Sequence, residues 1–308
     1  MPEINCCYEV FGLRVASEIA LPELAVARPG GQPEVEIRLG SVPIRDGHQS
    51  GLSIFSDGAL LRIPEVADYW MAGGREVVVE PNHSASDRNV RLFLLGSAIA
   101  AILHQRALLP LHANAIVIEG KAIAFLGHPG AGKSTMAAWF HDQGLGVLAD
   151  DVCAVTFDAE GRAIAHPGIP RLRLWREALE ASGRTTADYE MSFDDIDKYN
   201  VPTRLNSVSG GVVLDHLYLL EKADEAKPPA IARLSGAAAV EVLVANTYRG
   251  AYVSMMGKTR EHLLACARLA RLAPVFRASR AWGLDLLDEE GRRLEEHARA
   301  IIAGNGAD

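Results

Sequence analysis

Short apolar segments recur along the first 85 residues. CYEVFGL, VEIRL, LSIF, ALLRI and EVVVE are separated by Pro, Gly and Asp. Runs of that length between turn residues predict strands, so residues 1–86 are expected to form a small β-rich region. From Ser86 to Gln105 the pattern changes to SDRNVRLFLLGSAIAAILHQ. Its length and its early Asp predict a largely buried helix that joins this region to the rest of the chain, residues 87–308.

From His112 the chain reads ANAIVIEGKAIAFLGHPGAGKST. This predicts a strand, a tight turn at Glu119-Gly120-Lys121, a second strand and then a glycine loop. STMAAWFHDQG continues with helical composition and stops at Gly144, and GVLAD reads as a short buried strand. Further on, GVVLDHLYLLEK and VFRASR predict strands, and GKTREHLLACARLARL and DEEGRRLEEHARAII predict amphipathic helices. The stretch Thr185 to Asn206 has few periodic apolar positions and is expected to be a mobile loop near the site. The fold class is therefore α/β.

The glycine loop carries the most specific chemistry. Gly127, His128, Pro129, Gly130, Ala131, Gly132, Lys133 and Ser134 satisfy GxxxxGK[ST], after a strand and before a helix. Glycines let backbone N–H groups turn inward around phosphate oxygens, and the following helix points its positive end at the same anion. In a phosphate loop Lys133 adds a charge for the β and γ phosphates, and the Ser134 hydroxyl is a ligand for Mg2+. Thr135 completes the nucleotide-binding segment, and the expected cofactors are ATP and Mg2+.

Asp150 and Asp151 follow the strand GVLAD. An acid at a neighbouring strand end approaches the metal in many phosphate-loop proteins, and a second acid can accept the proton of an attacking hydroxyl. The other reading is a pair of turn acids, which would repel each other without a cation between them. His112 precedes the hairpin and is either a catalytic or a turn histidine, while His104 and His141 have weaker cases and His128 is a passenger of the loop. Arg171 and Arg173 in PGIPRLRLW either neutralise phosphate or sit on a solvated helix start. Lys198 and Arg204 are further cationic candidates, with surface charge as the alternative.

Composition narrows the function classes. The net charge of −8 argues against a general nucleic-acid or anionic-membrane surface. The longest apolar run, Leu92 to Leu103, is too short to span a bilayer, and the start MPEINCCYEV has no export pattern. Cys6, Cys7, Cys153 and Cys266 form no CxxC or zinc-ligand pattern, so reduced thiols in a cytoplasmic protein are expected. No GxSxG or HExxH occurs.

His112 before a hairpin, the loop GHPGAGKST and then LADD resemble, in that order, the catalytic domain of HPr kinase/phosphorylase, a bacterial enzyme that phosphorylates a serine of a phosphocarrier protein. The resemblance covers roughly residues 88 to 300. It implies a phosphate-loop kinase domain over 87–308, with His112, Lys133 and one of Asp150 and Asp151 catalytic. Asp151 is the base by its offset from Lys133, with Asp150 as the alternative, and Ser134 and Asp150 are the metal ligands. GKSTM stands where the family has GKSET, and no Glu-x-Arg-Gly-Leu-Gly signature is present, which leaves a second magnesium ligand unassigned.

YEVFGLRVASEIALPEL, RLFLLGSAIAAILHQRALLPLHA and PRLRLW resemble the diverged kinases encoded with lasso-peptide biosynthesis. Those phosphorylate the C-terminal serine of a precursor peptide. The resemblance implies a peptide or small protein acceptor with a serine hydroxyl, bound with help from residues 1–86 and from Arg171, Arg173, Lys198 and Arg204. It also implies a homo-oligomer. A phosphocarrier protein or small metabolite as acceptor, or an ATP-binding regulatory module without catalysis, are the alternatives.

Overall fold

The computed structural model describes residues 6–44, 50–193, 196–203, 210–224 and 228–304. The chain divides into two compact units, Met1–Pro110 with Tyr248–Leu264, and Leu111–Thr247 with Ala265–Asp308.

Among the described residues the first unit contains an eight-stranded sheet in the order β3-β1-β2-β4-β8-β7-β6-β5. Its strands are β1 (Cys6–Val10), β2 (Leu13–Ser17), β3 (Ala25–Val26), β4 (Val35–Leu39), β5 (Gly51–Phe55), β6 (Gly58–Ile63), β7 (Ala67–Ala72) and β8 (Glu76–Pro81). The apolar segment after residue 86 forms α1 (Asp87–Phe93), a π-helical turn at Leu94–Ala98, and α2 (Ile99–Gln105). Ser86 starts it as expected of a capping residue, its Oγ accepting the Asn89 N–H at 3.2 Å.

This helical stretch packs on the sheet. Tyr69 Oη donates to the Val90 carbonyl at 2.8 Å, and Gln105 Nε2 donates to the Met71 carbonyl at 3.1 Å. Residues 98–103 are all buried. A single apolar sheet face needs such a cover, so the division between the units falls at residue 110 instead of at 86.

The chain leaves the first unit along β9 (Leu109–Leu111). In the second unit β10 (Asn114–Ile118) and β11 (Lys121–Leu126) form the expected hairpin, with Glu119 and Gly120 both at positive φ (49° and 76°). That backbone matches the two-residue turn whose twist suits paired strands. α3 (Lys133–Asp142), β12 (Gly146–Ala149), β13 (Cys153–Phe157) and β14 (Ala163–His166) follow, then β15 (Arg171–Trp175) and α4 (Arg176–Ala181).

The segment Thr185 to Asn206 departs from expectation. Its described part contains β16 (Met191–Phe193) and β17 (Ile196–Pro202), which join β15 in a three-stranded antiparallel sheet. Pairing with Leu172 and Leu174, both buried, supplies the order that the local pattern lacks. Arg171 and Arg173 accordingly lie on a strand and not on a helix start.

β18 (Val212–Lys222) is the spine of the larger sheet. It runs parallel to β11, and its first residues pair with β14. After β19 (Ala230–Leu234), α5 (Gly236–Ala245), α6 (Ala251–Met255) and α7 (Thr259–Leu272), strand β20 (Val275–Arg280) runs parallel to the far half of β18. α8 (Leu287–Ile302) closes the chain.

The core of this unit gathers Phe125, Phe140, Leu172, Leu174, Tyr218, Phe276 and Leu294. Phe125 stacks between Phe140 and Tyr218 at centroid distances of 5.5 and 6.0 Å. Burying a side chain of this size contributes about 1.5–3 kcal/mol, which anchors α3 and the loop that precedes it. No helix among the described residues is long and apolar enough to cross a membrane.

Candidate active site

The glycine loop opens where β11 ends. Gly127 has φ 143°, and a Cβ there would lie 2.8 Å from the Leu220 carbonyl oxygen and 2.9 Å from the Ala131 Cβ. Any other residue would collide with the neighbouring parallel strand. Its N–H donates to Asn246 Oδ1 at 3.0 Å. Gly132 has φ 78° and stands before the first residue of α3, with the Arg280 Nη2 occupying the space that a Cβ would take.

Lys133 is only 7% exposed. Its Nζ donates to the Gly127 carbonyl at 2.6 Å and to the His128 carbonyl at 3.3 Å. Burial lowers its ammonium pKa, opposed by Asp151 and assisted by Lys198. The charge is folded back onto the loop carbonyls, where an anion in the loop would compete for it.

The two acids differ in environment. Asp150 is buried at the end of β12, where its Oδ1 accepts Ser134 Oγ at 3.1 Å and Asn114 Nδ2 at short range, and its Oδ2 accepts the Arg173 N–H at 2.8 Å. Burial raises its pKa, against the pull of the Arg173 guanidinium. Asp151 faces the cleft with 29% of its side chain exposed. Burial works against its charge, but Arg173, His112, Lys198 and Lys133 together hold its carboxyl below the ordinary range. Its Oδ2 accepts a short bond from Arg173 Nη2.

Asp151 also sits at φ 70°, in the middle of a three-residue turn closed by the Val152 N–H on the Asp150 carbonyl at 2.9 Å. A non-glycine residue held there costs about 1–3 kcal/mol, and such strain clusters at functional sites. His112 Nδ1 lies 3.1 Å from the Asp151 carbonyl oxygen and 3.3 Å from its Oδ1. Both are acceptors, so Nδ1 carries the proton. Burial lowers the His112 pKa and so favours the neutral ring, opposed by the charge of Asp151.

One cleft of about 440 Å3 unites His112, Lys133, Ser134, Asp151, Arg173 and Lys198. Pro129, Gly130, Ala131, Gly132 and Thr135 also line it. Asp150 lies beneath, bonded to Ser134. Arg171 shares the strand face of Arg173 but does not line the cleft, nor does the His128 ring, whose backbone carbonyl serves the loop instead. Arg204 lies outside the described residues.

Asn114, Trp175, Arg280 and Trp282 line the same cleft and were not read from the pattern. Asn114 had a signal, being a polar residue two positions after His112 on an otherwise apolar strand, where alternate residues share a face. Arg280 ends the parallel strand β20 and Trp282 follows it, at the C-terminal strand edge where ligands collect in open α/β sheets. That position is visible only once β20 is known to run beside β18.

The donor set fits a hard cation. Ser134 Oγ and Asp150 Oδ1 are oxygens 3.1 Å apart, and the buried Asn114 Oδ1 beside them has no hydrogen-bond partner. No group of three or more His, Cys, Asp or Glu suited to a metal occurs among the described residues. A site using a hydroxyl and one carboxylate relies on water and phosphate oxygens for the rest.

Comparison with protein-family models finds no match, and comparison with curated proteins finds none. Among solved structures the chain is similar to the Hpr(Ser) kinase/phosphatase from Coxiella burnetii, at 14% identity and a TM-score of 0.35. That likeness covers 63% of this chain and 98% of the other. At this score it bears on neither the site nor the activity.

Proposed function

We propose that this protein is an Mg-ATP-dependent kinase that phosphorylates a serine hydroxyl on a peptide or small protein, the C-terminal serine of a lasso-peptide precursor being the acceptor. The observation that carries the kinase reading is the convergence on one cleft of Lys133 in its glycine loop, the Ser134–Asp150 pair and the Asp151–His112–Arg173 group. The finer acceptor assignment rests on the sequence resemblance alone.

In this reading the backbone N–H groups of the loop and the start of α3 take the β and γ phosphates. Lys133 leaves the loop carbonyls to meet them. Ser134 and Asp150 would hold Mg2+, which neutralises charge on the phosphates when bound. Arg173, turning from Asp151, and Lys198 would supply cations to the transferring group, a placement that lowers a barrier where negative charge shifts.

The serine Oγ forms the new bond to the γ phosphorus as the bond to the β–γ bridging oxygen breaks. Its proton goes to Asp151. A carboxylate ion-paired to Arg173 is a weak base at rest, but it gains basicity when the guanidinium turns to phosphate. His112 Nδ1–H keeps Asp151 oriented meanwhile.

The test is mass spectrometry of the protein with Mg-ATP and synthetic peptides that end in serine or in alanine but otherwise match. Gain of phosphoryl mass by the serine peptide alone is expected. Equal modification of both peptides, or of a phosphocarrier protein in their place, would contradict the acceptor assignment.

A further inference from the structure

Two tryptophans line the cleft, and their surroundings differ. Trp175 has Lys198 Nζ 4.7 Å from its ring centroid, next in the fold to Arg173 and Asp151. That wall belongs to the transferring group and the acceptor. Trp282 lines the cleft beside the loop, together with Leu284 and Leu287, which follow it in sequence, and Pro129 and Ala131 of the loop. It is 48% exposed, and Leu284 is 43% exposed. Large apolar side chains left open beside an anion-binding loop are poor choices for solvent contact alone.

Arg280 ties this wall to the loop. It is 6% exposed, its Nη2 donates to the Ala131 carbonyl, and its guanidinium carbon lies 5.2 Å from the Trp282 ring centroid. Its buried Nε has no hydrogen-bond partner. A buried guanidinium with spare capacity is stabilised by an anion in the adjacent loop. The Ala281 N–H donates to Glu290 Oε1 at 2.8 Å, which fixes the backbone immediately before Trp282. The tryptophan is therefore held at a set position relative to the phosphate loop.

We infer that Trp282 is the base platform of the cleft and stacks the purine of a nucleoside triphosphate whose phosphates occupy the glycine loop. The inference rests on the reading of that loop as a nucleotide-phosphate site. Arg280 is the polar side chain named on this wall, and its guanidinium is directed to the loop, with Nη2 on the Ala131 carbonyl, so recognition of the base is by stacking area. Adenine and guanine nucleotides then bind alike, and inorganic tripolyphosphate, with no base, binds less tightly than either.

Calorimetric titration of the wild type, Trp282→Ala and Trp282→Phe with Mg-ATP, Mg-GTP and Mg-tripolyphosphate tests this. Base–aromatic stacking contributes about tenfold or more in affinity, so Trp282→Ala should weaken both nucleotides by about tenfold and leave tripolyphosphate unchanged. Trp282→Phe should recover most of the loss. Unchanged nucleotide binding by Trp282→Ala overturns the platform and leaves the loop reading intact. Equal weakening of all three ligands also overturns it, since that marks a structural role. A wild type that binds none of the three overturns the loop reading and the platform together.

Discussion

At the residue scale the two adjacent aspartates separate by environment. Asp150 is buried, bonded to Ser134 and raised in pKa by burial, whereas Asp151 opens to the cleft and is lowered by the cations around it. A metal ligand and a proton acceptor fail differently. Asp150→Asn is expected to lose turnover that added magnesium partly restores, and Asp151→Asn to keep nucleotide affinity while losing most turnover at any magnesium concentration. Steady-state kinetics across a magnesium titration measures both. Reversed behaviour would exchange the roles, and two fully active variants would reduce the pair to turn acids. The identities of these residues were legible in sequence because the loop motif and the strand-end acids are local signals. The roles expected of them rested on the family resemblance, whereas their contrasting environments were not legible, because these depend on Asn114 and Arg173, which reach Asp150 and Asp151 from other strands.

At the scale of elements, local patterns found those segments whose apolar period is complete. The hairpin, α3, β18, α7, β20 and α8 all lie where the sequence puts them. Strand β17 was missed because IDKYNVP alternates weakly and gains its order from pairing with β15. The helical stretch ending in α2 carries a different consequence. His104 is 4% exposed there, and its Nε2 lies 2.9 Å from the Tyr248 carbonyl oxygen. Burial holds its pKa below the ordinary value, and His112, His262 and His297 are lowered by burial too.

A histidine with a depressed folded pKa gives stability that is complete above its unfolded pKa, about 6.5, and that is lost as pH falls through the folded value. Each proton taken up on unfolding steepens the loss by about 1.4 kcal/mol per pH unit. Denaturant unfolding from pH 7.5 down to 5.5 should show falling stability. His104→Gln keeps an N–H for the Tyr248 carbonyl without a titrating ring, so its pH dependence should be shallower. Equal slopes for the variant and the wild type would contradict the buried neutral histidine.

At the scale of the whole molecule, the cleft is assembled within the second unit from six separate stretches of chain. They run from His112 and Asn114 through the loop, the acids, β15 with α4, and Lys198 to the turn after β20. The glycine-loop half was legible because it is contiguous. The wall with Arg280 and Trp282 was not, since the adjacency of β11, β18 and β20 is a property of the sheet.

The central claim is that this assembly transfers a γ-phosphoryl group, and the most direct measurement uses γ-labelled Mg-ATP with serine-ended peptides. Wild type is compared with Lys133→Ala, and circular dichroism confirms that the variant is folded. Label should pass to peptide serine with the wild type and fall by about a hundredfold or more with the variant, the scale expected when a charge-stabilising group is removed. Wild type that binds ATP yet labels no acceptor would make the protein a nucleotide-binding module. Equal labelling by the folded Lys133→Ala protein would contradict the account outright.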